Sequence, residues 1–190
     1  MFSCRRLVQQ RPRGADKLAA TASPSLAGLL ADLSPLPAML MNHRYDILVW
    51  NSEMARLLLD FDTLAPSQRN AMWLCLLHPE MRERYVDRER VVREGIAHLR
   101  TAWAAHPEDR ALTDLIAECA TSDEEFARLW AERDVKVNGR GRKVMRHPGV
   151  GVIAVRFETL TPLQDPDHLL VIYRAADDQS QSALDELCAR

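Results

Sequence analysis

Arg44-Tyr45-Asp46-Ile47-Leu48-Val49-Trp50-Asn51 decides how this chain is read. Asp46 to Trp50 is short, apolar, and rich in β-branched and aromatic side chains, which is strand composition. It stops at Asn51, a side chain suited to satisfying the free N–H groups at the start of a helix. An Ala- and Leu-rich segment holding Ala55, Leu57 and Leu58 follows at once. Ahead of the stretch, Ala38 to Met41 is a second short apolar run, and Asn42-His43-Arg44 is polar turn material. Two such runs joined by such a turn predict an antiparallel hairpin whose side chains alternate between two faces.

Upstream, Ser23-Pro24 is a helix start, Ser at the cap and Pro in the first turn. Leu26, Leu29, Leu30 and Leu33 continue it at a spacing near 3.6, and Pro35 and Pro37 end it. Downstream, the middle of the chain reads as helical. A helix is expected over Pro66–Leu77, closing on the block Met72-Trp73-Leu74-Cys75-Leu76-Leu77 before Pro79. Met81, Tyr85, Val92, Ile96, Leu99 and Trp103 mark one face of a long helix that His106-Pro107 breaks. Leu112, Leu115, Ile116 and Cys119 mark a shorter one. Thr121 or Ser122 caps another, with Asp123, Glu124 and Glu125 at its positive end and Phe126, Leu129 and Trp130 on its buried face.

After Asp134 the pattern changes. Val135 to Arg142 reads as a loop, Lys143 to His147 as a strand, and Pro148 to Gly151 as a turn. Val152 to Leu160 alternates, with Ile153, Val155 and Phe157 on one face and Arg156 and Glu158 on the other; His168 to Arg174 is an apolar strand. Strands at both ends flanking a helical middle predict an α+β domain: a five-stranded antiparallel sheet whose apolar face the helices cover.

Composition narrows the function. The chain has 190 residues, enough for one domain, and its 25 basic and 27 acidic side chains nearly cancel. Bulk charge therefore gives no reason to expect nucleic-acid binding. No apolar run approaches the roughly 20 residues of a membrane helix. Cys4, Cys75, Cys119 and Cys188 are scattered without a C-x-x-C pair, which speaks for reduced thiols in a cytoplasmic protein. His43, His78, His98, His106, His147 and His168 show no metal-ligand spacing, so no metal is expected. There is no G-x-S-x-G, H-E-x-x-H or P-loop, and hence no candidate catalytic residue and no expected cofactor. The basic run Lys136, Arg140, Arg142, Lys143 and Arg146 has no interleaved aromatics and reads as a solvated hairpin loop.

The apolar inventory carries more. Met39, Met41, Met54, Met72, Trp73, Leu76, Leu77, Trp103, Phe126 and Trp130 lie on elements expected to face the sheet. Adaptable Met beside bulky Trp suits a cavity of variable shape, and suits a filled core equally well. Tyr173 shares its strand face with Leu169 and Val171, so its hydroxyl reaches either a ligand or a backbone partner. The residues leave both readings open.

The quoted stretch, F-A-R-L-W at Phe126–Trp130, R-H-P-G-V-G at Arg146–Gly151, F-E-T-L from Phe157 and V-I-Y-R from Val171 occur in this order. Together they resemble the C-terminal ligand-binding domain of MmyB-like bacterial transcription regulators. The resemblance runs from about Pro24 to Ala175. It implies a PAS-like fold over residues 23–176, with a basic, disordered, linker-like segment at 1–22 and a polar tail at 177–190, in which a last helix turn is expected near Leu184. It also implies a pocket for a fatty-acid-like or other apolar molecule.

On that resemblance the ligand-binding candidates are Met39, Met41, Trp73, Leu77, Trp103, Phe126, Trp130 and Tyr173 for the apolar part. Arg69-Asn70 and Arg146-His147 match a family Arg-Asn pair and a basic residue before a His-Pro turn, and Arg holds a carboxylate well in a bidentate fork. Asn51 joins them as a candidate with a structural capping role. Family members often carry a His where Arg133 stands here.

The family's N-terminal half is a helix-turn-helix DNA reader, and none is expected in this chain. The expectation is an effector-binding domain that does not itself bind DNA or a membrane and is not an enzyme. It would act as a homodimer or paired with a full-length regulator. The alternative is a ligand-free dimerisation module, or a truncated regulator working through protein contacts.

Overall fold

In a computed structural model that describes residues 22–132 and 139–189, the hairpin stands where the quoted stretch predicts it. Strand β1 (Ala38–Asn42) pairs antiparallel with β2 (Ile47–Trp50). Helix α1 (Pro24–Asp32) precedes them, its Ser23 hydroxyl accepting from Leu26 N at 3.3 Å. Helix α2 (Ser52–Leu57) follows Asn51. The helical middle is α3 (Ala71–Leu77), α4 (Pro79–Arg82), α5 (Arg88–Ala105), α6 (Arg110–Ser122) and α7 (Glu124–Ala131). Strands β3 (Arg140–His147), β4 (Gly151–Leu160) and β5 (His168–Ala175) come next, and helix α8 (Asp178–Ala189) closes the chain.

The five strands form one sheet in the order β2-β1-β5-β4-β3, every neighbour antiparallel. This is the α+β, PAS-like arrangement expected. The first and last strands of the chain meet at its centre, so all of β1 is buried. Met39 and Met41 join the large core under the helical middle; Ala38 and Leu40 pack with Leu30 and Leu170 under α1 on the other face.

Both sheet edges are closed by backbone from the helical middle. Ile47 N donates to Arg69 O at 2.7 Å and Ala71 N to Tyr45 O at 2.9 Å along β2. Val86 N donates to Val144 O at 2.9 Å and Arg146 N to Arg84 O at 2.8 Å along β3. Unpaired strand edges invite other chains, and these two short pairings remove that exposure.

Those pairings account for two departures from expectation. The helix expected over Pro66–Leu77 is a 3₁₀ turn (Pro66–Gln68) and then α3, because Asn70 between them is extended and bridges to Asp46 beside β2. The long helix expected from Met81 to Trp103 is α4 and α5 with a break between them, where Tyr85 bridges to Met145. Strand β3 also starts at Arg140 rather than Lys143. Within the polar tail expected at 177–190, the helix turn expected near Leu184 extends to three turns. Ser180, Leu184 and Leu187, spaced four and three apart, bury one face of α8 against β4, β5 and α2. The linker-like stretch expected at 1–22 lies outside the described residues except for Ala22, and Arg133 lies outside them altogether.

Candidate functional site

Between the inner face of the sheet and the helical middle lies a cavity of about 390 Å³, within the usual range for small-molecule sites. Its floor is Met39, Met41 and Ile47 from β1 and β2, Phe157 and Thr159 from β4, and Leu169, Val171 and Tyr173 from β5. Its roof is Met72, Leu74 and Cys75 of α3, then Val91, Glu94, Gly95 and His98 of α5, whose spacing of three to four puts them on one helix face. Leu58, Phe61, Met81 and Tyr85 close one side. At the other end Gly139, Thr161 and Pro166 line it and are themselves solvent-exposed, so the cavity opens there.

Two glycines shape this space by what they lack. A Cβ on Gly95 would lie 2.3 Å from Met72 Sδ, and one on Gly141 would lie 2.9 Å from Phe157 Cε1. The first lets α5 approach α3. The second lets the Phe157 ring lie across β3.

One cation is built into the apolar wall. Lys143 extends from β3, four residues along the strand from Gly139 at the open end, so roughly 13 Å inward. Its Nζ lies 4.7 Å from the centroid of Phe157, 5.6 Å from Tyr85 and 5.7 Å from Tyr173. It donates to the Tyr173 hydroxyl at 3.4 Å. Among the described residues no carboxylate pairs with it. Three ring faces favour the charged ammonium without neutralising it. Tyr85 is hydrogen-bonded to Tyr173, and burial first of all keeps its phenol well above the ordinary value. The phenol is thus a neutral donor. An ammonium and two phenols converging on an apolar cavity can receive an anionic head group.

Of the residues expected here, Met39, Met41 and Tyr173 line the cavity. The others are placed elsewhere. Asn51 is a structural hub: its Oδ1 accepts from Ala38 N and Met54 N, both at 3.0 Å, and its Nδ2 donates to Leu36 O at 2.7 Å. Asn70 caps α3 through Met72 N and Trp73 N and donates to Arg44 O and Asp46 Oδ1. Arg69 donates to Leu64 O at 3.1 Å and lies over the Trp50 ring. Trp73 and Leu77 are half-buried on α3, with Trp73 edge-on to His78. Phe126 and Trp130 stack at 5.7 Å under Arg100, and Trp103 touches Trp130 while 47 % exposed. Arg146 points to solvent; His147 bonds Arg56 O at 2.9 Å and accepts from Gly149 N, fastening its turn.

Lys143, Tyr85 and Glu94 were not expected to take part. The Lys143 signal was present in the alternation of β3, where Gly141, Lys143 and Met145 share a face. Surrounding arginines masked it as a solvated run.

Tyr45 also faces the cavity. It takes a left-handed φ of 69°, uncommon for an aromatic, which the Asn42 side chain imposes by accepting from Arg44 N and Asp46 N. The ring then stacks on His98 at 4.2 Å.

Residues 22–187 match the family described as the MmyB-like transcription regulator ligand binding domain. No curated protein matches the chain. Among the described residues no helix is long and apolar enough to cross a membrane.

Proposed function

The chain belongs to the MmyB-like transcription regulator ligand-binding domain family, and from that premise we propose that its cavity binds a fatty-acid-like molecule. The hydrocarbon would lie between Met39, Met41, Met72 and Val171, with the carboxylate inward at Lys143, Tyr85 and Tyr173. The observation that carries this reading is the Lys143 ammonium in a mostly apolar wall, with which no carboxylate pairs among the described residues, the Glu94 carboxylate of the same wall being held by Arg90. A charge-assisted bond from Lys143 favours an acid over the matching alcohol. The filled cavity would order α3 to α5, and that bias between a loose and an ordered roof is the signal. A second copy or a full-length regulator would receive it; co-elution on gel filtration tests that step.

Native mass spectrometry, beside an organic extract of the same preparation, tests the binding. The expected result is one long-chain acid per chain, exchangeable for added myristate. Lys143→Met is expected to weaken myristate binding roughly 10- to 100-fold and to leave the matching alcohol unaffected. A protein that binds neither, or binds both equally in the two forms, overturns the reading.

A further inference from the structure

At the open end of the cavity three elements bring metal-ligating side chains together. His43 stands in the turn between β1 and β2, His106 at the C-terminal cap of α5, and Asp167 in the loop between β4 and β5. One donor atom from each lies within 4.8 Å of the other two. His106 Nε2 is 3.2 Å from Asp167 Oδ1, and the two imidazoles stack with centroids 4.1 Å apart. No short-range spacing announces the set, because each member comes from a different part of the chain.

The environment of His43 adds an independent observation. Its Nε2 is held by Asp109 Oδ2 at 2.7 Å, and Asp109 is held in turn by Arg44 Nη1 at 3.1 Å and by the N–H of Leu112. Its Nδ1 is buried and has no hydrogen-bond partner among the described residues. A carboxylate taking the proton of one ring nitrogen leaves a lone pair on the other, the arrangement that orients histidines toward metals. A buried nitrogen without a partner is costly, and a cation supplies one.

We propose that His43, His106 and Asp167 form a site for a divalent transition metal of the zinc type, with Asp109 orienting His43. Two imidazoles and one carboxylate suit such an ion better than magnesium or calcium, which prefer oxygen donors. Three protein ligands leave the fourth position of a tetrahedral ion to water. Bond lengths near 2.0 Å require donor atoms roughly 3.3 Å apart, closer than the present 4.8 Å limit. Asp167 is on an exposed loop and His106 ends a helix, so both have freedom to close.

Closure has a direction. Asp167 adjoins Pro166, and α5 carries His98; both residues line the cavity. A bound metal therefore draws the β4–β5 loop onto α5 across the open end. This second step rests on the cavity being a ligand site; the metal site itself does not.

The test uses the untagged chain, first stripped of ligand and metal. Titration calorimetry with zinc chloride is expected to show one saturable site, and cobalt(II) is expected to develop the visible absorption of a four-coordinate ion. His106→Ala and Asp167→Asn are each expected to lower zinc affinity at least 10-fold while melting like the parent in chelator. The absence of saturable binding, or zinc affinity unchanged in both variants, overturns the site. Myristate release by stopped flow, with and without zinc, then addresses closure. Slower release in the parent and not in His106→Ala supports it; identical release removes the gating while leaving the metal site standing.

Discussion

Asn51 and Lys143 show how differently two polar residues inside one domain are used. Asn51 does not line the cavity, yet α1, β1 and α2 are joined through its amide, which bonds Leu30 O, Ala38 N and Met54 N. Asn51→Ala removes a helix cap and leaves Ala38 N and Leu36 O without their partner. We expect it to cost about 3 kcal/mol, measured by urea unfolding, with ligand affinity unchanged in the fraction still folded. Lys143 has the opposite profile: its loss removes the cation from the cavity wall but breaks only one side-chain hydrogen bond, so we expect the fold to survive a substitution that weakens the proposed carboxylate binding. Burial pushes the Cys75 thiol up to about 11 and the Cys119 thiol up to about 12. Both therefore remain protonated at pH 8, where we expect a disulfide reagent to leave them unmodified until denaturant is added. Fast modification of Cys75 in the native protein would mean that the roof it belongs to opens readily.

At the scale of elements, α5 sets the cavity height. In Gly95→Ala the added methyl meets the flexible end of Met72, which has the cavity to move into. The helix gains up to about 1 kcal/mol of propensity, so stability should change little. Affinity should fall with chain length, the longest acids losing most; a series of acids in competition binding checks this. Helix α8 makes a separate prediction. Leu184→Ala and Leu187→Ala should each cost about 2–4 kcal/mol, which an inert tail would not.

The elements also show what a linear reading can and cannot find. Every strand but the start of β3 follows from alternation or an apolar run, and α1, α6 and α7 follow from caps and spacing. The expected Met81–Trp103 helix failed because the face pattern continues across Tyr85, while the backbone there is engaged by β3, a partner about sixty residues away. The turn near Leu184 was legible, but Ser, Gln and Asp on the outer face of α8 hid its full length. The capping role of Asn51 was legible from its place before the Ala- and Leu-rich segment, whereas for Asn70 and His147 a cap and a ligand contact call for the same side chain. Arg69 and Arg146 were proposed as carboxylate holders because arginine suits that task; the structure sets a lysine, on an inward β3 position, in the cavity instead.

For the molecule as a whole, a ligand that fills the cavity should stabilise the folded chain by mass action. At a free concentration a hundred times Kd the gain is about 2.7 kcal/mol, visible as a concentration-dependent rise in Tm. The roof, α3 to α5, should gain more protection than the outer sheet face under α1, because only the former touches the ligand. Hydrogen exchange with and without myristate measures this; equal protection everywhere would point to global stabilisation without a local roof response.

The two backbone seams along β2 and β3 have a consequence for timing. Residues 69–71 and 84–86 tie the roof to opposite rims of the sheet, so the roof cannot lift as a lid without unzipping amide bonds at both rims. A guest would then enter at the end where Gly139 and Pro166 are exposed, a lengthwise passage. A chain-shaped guest threads such a passage by sliding, whereas a broad, rigid one of equal volume has no route short of partial unfolding. Selection in this domain would then act on the width of a molecule during its passage, before any contact with Lys143 weighs its charge.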